Sequence, residues 1–317
     1  MPSVRVRYLL GTARIRARER VLRLRGRLRR RPPCADVVPR PRTADRGAPT
    51  LELSHALLAA DLNPQYVGLW PVAKRAWVEI ARVEPVLVLV AERHTVPPAL
   101  ATDPTVVVFE PEPSLHTAFQ AQCIRLLYPA LLDAPGAVIT SDIDMVPMSP
   151  RYFHRPLARI DGRHFVCYRD DTLPLGELPI CYNAALPATW ASVFGVADLG
   201  GIRARLRRWA EGVDYDGARG GAGWTTDQRQ LHDILLDRGR SHRDVWILDD
   251  YYTGYRRLER AYVEKWKSIS DDARRGIESG AFSDFHLLAA DSEHAALNER
   301  IVEAAIAAQS LPLRRTR

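Results

Sequence analysis

No apolar run in this chain reaches the roughly 18–20 residues that a membrane-spanning helix needs, so no helical span is expected. The N-terminus carries charge but no uninterrupted apolar segment with a small-residue cleavage site behind it, so a secretory leader is not expected either. Cysteine is scarce. Cys34, Cys123, Cys167 and Cys181 are the four in 317 residues, and none are closely paired. A disulfide framework and a cysteine zinc site are thereby disfavoured, and free thiols in a reducing, cytoplasmic compartment are expected. There is no internal repeat. The one glycine-rich stretch, Gly217-Ala218-Arg219-Gly220-Gly221-Ala222-Gly223, lacks the Gly-Lys-Ser/Thr ending of a nucleotide P-loop.

What is present is unevenly spread. The whole chain carries +7, yet residues 1–48 hold fifteen arginines against Glu19, Asp36 and Asp45, a surplus of twelve. The remainder is therefore net −5. From Arg5 to Arg31, Ala17, Val21, Leu24 and Leu28 follow helical spacing among the arginines, which predicts a basic amphipathic helical arm over 1–31. Prolines 32, 33, 39, 41 and 49 mark 32–49 as a linker. Residues 50–317 form the body. An arm of this composition suits an anionic membrane surface. A solvated tail is the equal alternative, and nucleic acid ranks behind both because the body is acidic. Peripheral attachment would serve an acceptor that is lipid-linked or part of the cell envelope.

The body reads as alternating strands and helices. Leu51 to Ala60 is a first strand, although its Ala and Leu content also suits a helix. A helix over Trp70–Arg82 follows, then buried strands over Val86–Ala91 and Thr105–Phe109. Ser114 is placed to cap a helix running to about Leu132. Further strands are expected at His164–Tyr168 and Val245–Leu248. Thr226 is a plausible N-cap for a helix through Leu236, and a last helix spans Glu293–Ala308. This alternation predicts an α/β fold with a mostly parallel central sheet flanked by helices.

The most informative stretch is Ala137-Val138-Ile139-Thr140-Ser141 followed by Asp142-Ile143-Asp144. It reads as a buried strand ending in two carboxylates. In an extended segment, residues i and i+2 point the same way, so both carboxylates are expected to face one point. That point lies past the carboxyl end of a core strand, where open α/β sheets bind ligands. Facing carboxylates repel unless a cation intervenes, and magnesium or manganese suits oxygen ligands.

Further blocks accompany this motif in order: Asn63-Pro64-Gln65-Tyr66, Trp70-Pro71, Trp77, Gln120-Ala121-Gln122, Arg125 to Leu132, Trp224-Thr225-Thr226-Asp227-Gln228 and Asp284-Phe285-His286. Over roughly residues 50–300 the chain resembles nucleotide-sugar-dependent glycosyltransferases of the GT-A fold. The motif order is similar to the glycogenin-like families. The resemblance implies a GT-A (Rossmann-like) domain, a nucleotide-sugar donor, a glycosyl acceptor and a divalent metal, manganese or magnesium. It assigns the metal to Asp142, Asp144 and His286. It assigns donor contacts to Asp61, Asn63, Arg125 and Asp142. Asn183 and Trp224 fall on the acceptor side, and Asp227 and Arg125 are the catalytic candidates. Asp227 would serve as base in an inverting reaction or steady the sugar cation in a retaining one. Where the glycogenin-like group carries a glycine and lysine after its histidine, this chain has Leu287-Leu288-Ala289-Ala290. The alternative functions are a nucleotidyltransferase making a nucleotide sugar, and a metal-dependent nuclease using the basic arm. The first would want a glycine-rich basic loop after Ala60. The second would want more acidic ligands and a basic body.

Overall fold

The computed structural model describes residues 50–237, 244–260, 263 and 269–309. The expected arm 1–31, the linker 32–49 and Cys34 lie outside the described residues.

Among the described residues ten strands occur in chain order: β1 (Leu53–Asp61), β2 (Glu84–Val90), β3 (Val106–Phe109), β4 (Ala137–Thr140), β5 (Met145–Pro147), β6 (Phe165–Cys167), β7 (Asn183–Ala185), β8 (Val245–Ile247), β9 (Arg257–Leu258) and β10 (Asp284–His286). Seven form one sheet in the order β3-β2-β1-β4-β7-β6-β8, and β5-β10-β9 form a smaller one. In the large sheet only β7 runs against the rest. The fold is therefore α/β with a mostly parallel central sheet, as expected.

The alternation of side chains along the central strands divides the core into two layers. Ala56, Leu58, Ala60, Leu87 and Leu89 face one layer, and Leu57, Ala59, Val88 and Val90 face the other. Each such fully buried Leu or Val contributes about 1.5–3 kcal/mol. Both faces are covered, which is why β1 and β2 read as continuous apolar runs. In the first layer Trp77 packs edge-on against Phe153 at 5.1 Å. In the second, Trp190 packs edge-on against Phe165 at 4.6 Å.

Trp77 arrives on the expected helix, observed as Trp70–Ala76 continued by a wider turn over Trp77–Ala81. Arg82 ends it in the left-handed conformation, φ 59°, with its N–H on the Trp77 carbonyl. The helix expected from Ser114 to Leu132 is shorter, Thr117–Ile124, and its N-cap is His116. Two contacts explain the difference. The Gln120 side chain holds the Glu112 and Leu115 carbonyls, keeping 112–115 in a turn. Past Ile124 the bonds tighten to i→i+3, and Pro129, which has no N–H, sits in a separate 3₁₀ turn, Tyr128–Leu131. Likewise Thr225 occupies the N-cap position expected of Thr226, which is the first residue of the helix Thr226–His232. The last helix runs Ser292–Gln309. No helix among the described residues is long and apolar enough to cross a membrane. Cys123, Cys167 and Cys181 are free and buried.

Candidate functional site

β1 and β4 run side by side and parallel, with Leu57 opposite Thr140. Their carboxyl ends therefore open on the same side of the sheet, the crevice where such sheets bind ligands. Asp61 ends β1, and Ser141-Asp142 follow β4.

The strand stops at Thr140. The Met145 N–H donates to the Asp142 carbonyl at 3.1 Å, so Asp142 to Met145 form a turn. The extended-chain rule that would aim both carboxylates at one point does not apply across a turn, and the two aspartates go to different partners. Asp142 forms an ion pair with Arg125. Its Oδ2 also accepts from the Cys181 thiol at 3.1 Å. Burial pushes that thiol up to about 12, so it stays protonated and donates. Asp144 accepts from Arg260 Nη2 at 2.7 Å and lies 3.1 Å from His286 Nε2. Arg260 also touches His286.

The pairing of Asp144 with His286 follows from the small sheet. β5 and β10 are antiparallel with Met145 opposite His286, and the Leu287 N–H bonds the Asp144 carbonyl at 2.8 Å. Burial alone would raise the Asp144 carboxyl, but His286 and Arg260 outweigh it and hold it far below the usual carboxylate range. Burial lowers His286 against the pull of Asp144.

Arg125 makes the second junction. It sits at the C-cap of the helix Thr117–Ile124, 7% exposed, with Nη2 2.9 Å from Asp227 Oδ2. Asp227, 3% exposed, also accepts from the Gln228 N–H at 2.8 Å. Burial raises its carboxyl, and Arg125 opposes the rise. The five expected residues Arg125, Asp142, Asp144, Asp227 and His286 thus come from distant parts of the chain to one place.

The remaining expected residues fall as follows. Asp61 accepts from the Thr117 hydroxyl at 2.9 Å and stays half-buried at the strand end. Asn63 is exposed and caps the short helix Pro64–Val67 through the Gln65 N–H. Asn183 is fully buried in β7, its amide held by the Pro179 and Ile180 carbonyls. It stands inside the sheet opposite Thr140, the last residue of β4. Trp224 is half-buried at the end of the glycine-rich loop.

Arg260, Tyr66 and Arg219 lie near Asp144, and the sequence reading gave none of them a role. Tyr66 is raised by burial and by Asp144, while Arg219 and Arg260 pull it down, so all four share one electrostatic neighbourhood. The glycine-rich loop brings Arg219 there. Its turns need left-handed backbone at Gly217, Gly220 and Gly223, where L side chains are strained.

Among the described residues no group of three His, Cys, Asp or Glu side chains is placed to hold a metal ion. The expected trio is therefore not assembled, because Asp142 turns to Arg125. Asp144 and His286 have the oxygen and nitrogen donor chemistry of a divalent-ion site, and Arg260 holds both of those donor atoms. Small divalent ions in phosphate-handling sites take one or two protein carboxylates and complete their shell with substrate phosphates and water.

No family model matches the chain, and no curated protein matches it. Among solved structures it is similar to the glycosyltransferase GlyE of Streptococcus pneumoniae TIGR4, at 13% identity and TM-score 0.43, covering 80% of this chain and 60% of that one. It is similar to the galactosyltransferase LgtC in complex with donor and acceptor sugar analogs, at 14% identity and TM-score 0.41, covering 82% and 98%. Mouse xyloside xylosyltransferase 1 follows at 11% identity and TM-score 0.37, covering 74% and 97%. At identities and TM-scores this low, the likenesses carry no argument about the chemistry of this chain.

Proposed function

We propose that the chain is a glycosyltransferase that moves a sugar from a nucleoside-diphosphate donor to a glycosyl acceptor. The observation that supports this reading is the convergence of Arg125, Asp142, Asp144, Asp227 and His286 at the carboxyl end of β4. These are the residues that the motif order singles out.

Glycosyl transfer from such a donor leaves negative charge on the departing diphosphate. Arg260 and Arg219, both in the neighbourhood of Asp144, are the cations that would meet that charge. Oriented guanidiniums in a partly buried site stabilise developing charge without reorganising. Asp144 and His286 would hold a manganese or magnesium ion, and when bound it would add Lewis-acid stabilisation of the leaving group. The cluster sets Arg125, Arg219 and Arg260 against Asp61, Asp142, Asp144 and Asp227, so its arginines leave no surplus of positive charge. An incoming diphosphate adds negative charge, which a divalent ion arriving with it would offset. Metal and diphosphate therefore bind together in this reading.

Asp227 is better suited to hold Arg125 in place than to take a proton from the acceptor. Both its oxygens are already hydrogen-bonded, and it lies behind the guanidinium. Asp61 is left for the donor, at the mouth of β1. Trp224 is left for the acceptor.

The test is a thermal-shift screen of nucleoside diphosphates with and without manganese. Ligands that bind the native state raise Tm. One nucleoside diphosphate should raise Tm more with manganese present than the two separate shifts combined, and Asp144→Asn should remove that excess. Absence of any shift across all bases, with or without metal, would sink the reading.

A further inference from the structure

At the far end of the small sheet from Asp144 and His286 lies a second basic feature. β5 runs from Met145, opposite His286, to Pro147, opposite Asp284. Just beyond it, Ser149 and Ser283 line a cavity of about 480 Å³ together with Arg151, Arg155 and Arg159. The three arginines stand four residues apart, along the short helix Pro150–His154 and the 3₁₀ turn Leu157–Arg159. All three are exposed. No acidic residue lines the cavity, and none of the three has an ion-pair partner among the described residues. The buried arginines of the body are matched: Arg125 with Asp142 and Asp227, and Arg169 with Asp171 and Asp250. On the same wall Tyr152 is buried, and its hydroxyl has no hydrogen-bond partner.

Like charges held together around a concavity repel. The guanidinium fork matches phosphate oxygens bidentately. The position of the cavity adds a second argument. The Leu51 N–H bonds the Ile160 carbonyl at 2.8 Å, and Thr50 bridges Asp161. The chain that precedes Thr50, with its fifteen arginines in residues 1–48, thus joins the body beside Arg159. Thr50, the first described residue after that segment, and the cavity therefore lie at the same edge of the body.

We propose that Arg151, Arg155 and Arg159 form a second anion-binding site that takes a phosphate group carried on an anionic lipid. The site does not depend on glycosyl transfer, and nothing in its lining overlaps the residues around Asp144.

The experiment uses the full chain and the variant R151Q/R155Q/R159Q, whose matched thermal unfolding would show an intact fold. The single variant R155Q serves if the triple one does not fold. Flotation is measured with phosphatidylcholine vesicles, with and without phosphatidic acid, and inorganic pyrophosphate binding is measured by calorimetry with EDTA present, which silences the metal-dependent diphosphate site around Asp144. The parent should float with phosphatidic acid and not with phosphatidylcholine alone. The triple variant should lose on the order of a hundred-fold in vesicle affinity, since each surface arginine contributes a factor of about five. Loss of pyrophosphate binding without loss of flotation would keep the anion site and overturn its lipid source. Equal behaviour of parent and variant toward both probes, or no binding of either by the parent, would overturn the proposal.

Discussion

Arg125 links Asp142 to Asp227, two carboxylates that the chain separates by more than eighty residues, with its Nη2 2.9 Å from the Asp227 carboxylate. Removing the guanidinium leaves a buried acid unpaired, which costs about 3–5 kcal/mol. Arg125→Met should lose that much stability in urea unfolding. Arg125→Met combined with Asp227→Leu should regain most of it, because neither charge is then stranded. A double variant no more stable than the single one would show that Arg125 matters for reasons other than Asp227.

Asp144 faces Arg260 and His286 at the mouth of the crevice, only half-buried. Asp144→Asn should keep the fold, read by circular dichroism, and reduce transfer on the order of 10²–10³-fold. Asp227→Asn should act differently. If Asp227 positions Arg125, the loss falls mainly on donor KM, and the pH profile of kcat keeps its shape. Disappearance of an ionisation from the kcat profile would instead mark Asp227 as the base.

Asp103 sets a pH dependence of stability. Burial would raise its carboxyl, but bonds from Lys74 at 2.8 Å, from Thr105 and from the Trp70 indole outweigh it and hold it below the usual carboxylate range. A depressed folded value means stability is present above the unfolded value, near 3.9, and is lost as pH falls through the folded one. Acidification below about pH 4 should therefore weaken the fold. Asp103→Asn should cost about 2 kcal/mol at neutral pH and flatten that decline, as followed by urea midpoints from pH 7 down.

Gly136 precedes β4, where a Cβ would lie 2.5 Å from the Glu52 carbonyl oxygen and 3.1 Å from the Ser54 Cβ. Backbone has to move to admit it. Gly136→Ala should cost about 1–3 kcal/mol, and because β4 leads into Asp142, donor binding should weaken along with stability. Unchanged Tm would show that the strand start can relax.

Much of the scaffold was legible because burial on both sheet faces writes itself as apolar runs: Val86 to Val90 and Ala137 to Thr140 needed no other clue. The helix after Ser114 was drawn too long, because its true start depends on Gln120 reaching back to Glu112 and Leu115. No local pattern shows that reach. The site was legible as a set of residues and illegible as geometry. Asp142 and Asp144 look like neighbours on one strand, yet the turn between them forms because Met145 is drawn to His286 across the small sheet. Arg260 carries no motif at all. Arg219 lay in plain view in a loop whose glycines announce turns and give no sign of where those turns lead.

That turn has a mechanical consequence. Asp142 is anchored to the edge of the large sheet through Arg125 and Cys181, while Asp144 rides on the small one through His286. Ile143 is the single residue joining the two moorings. Sliding of one sheet past the other would therefore change the span between the two carboxylates, with the motif as a caliper across the seam.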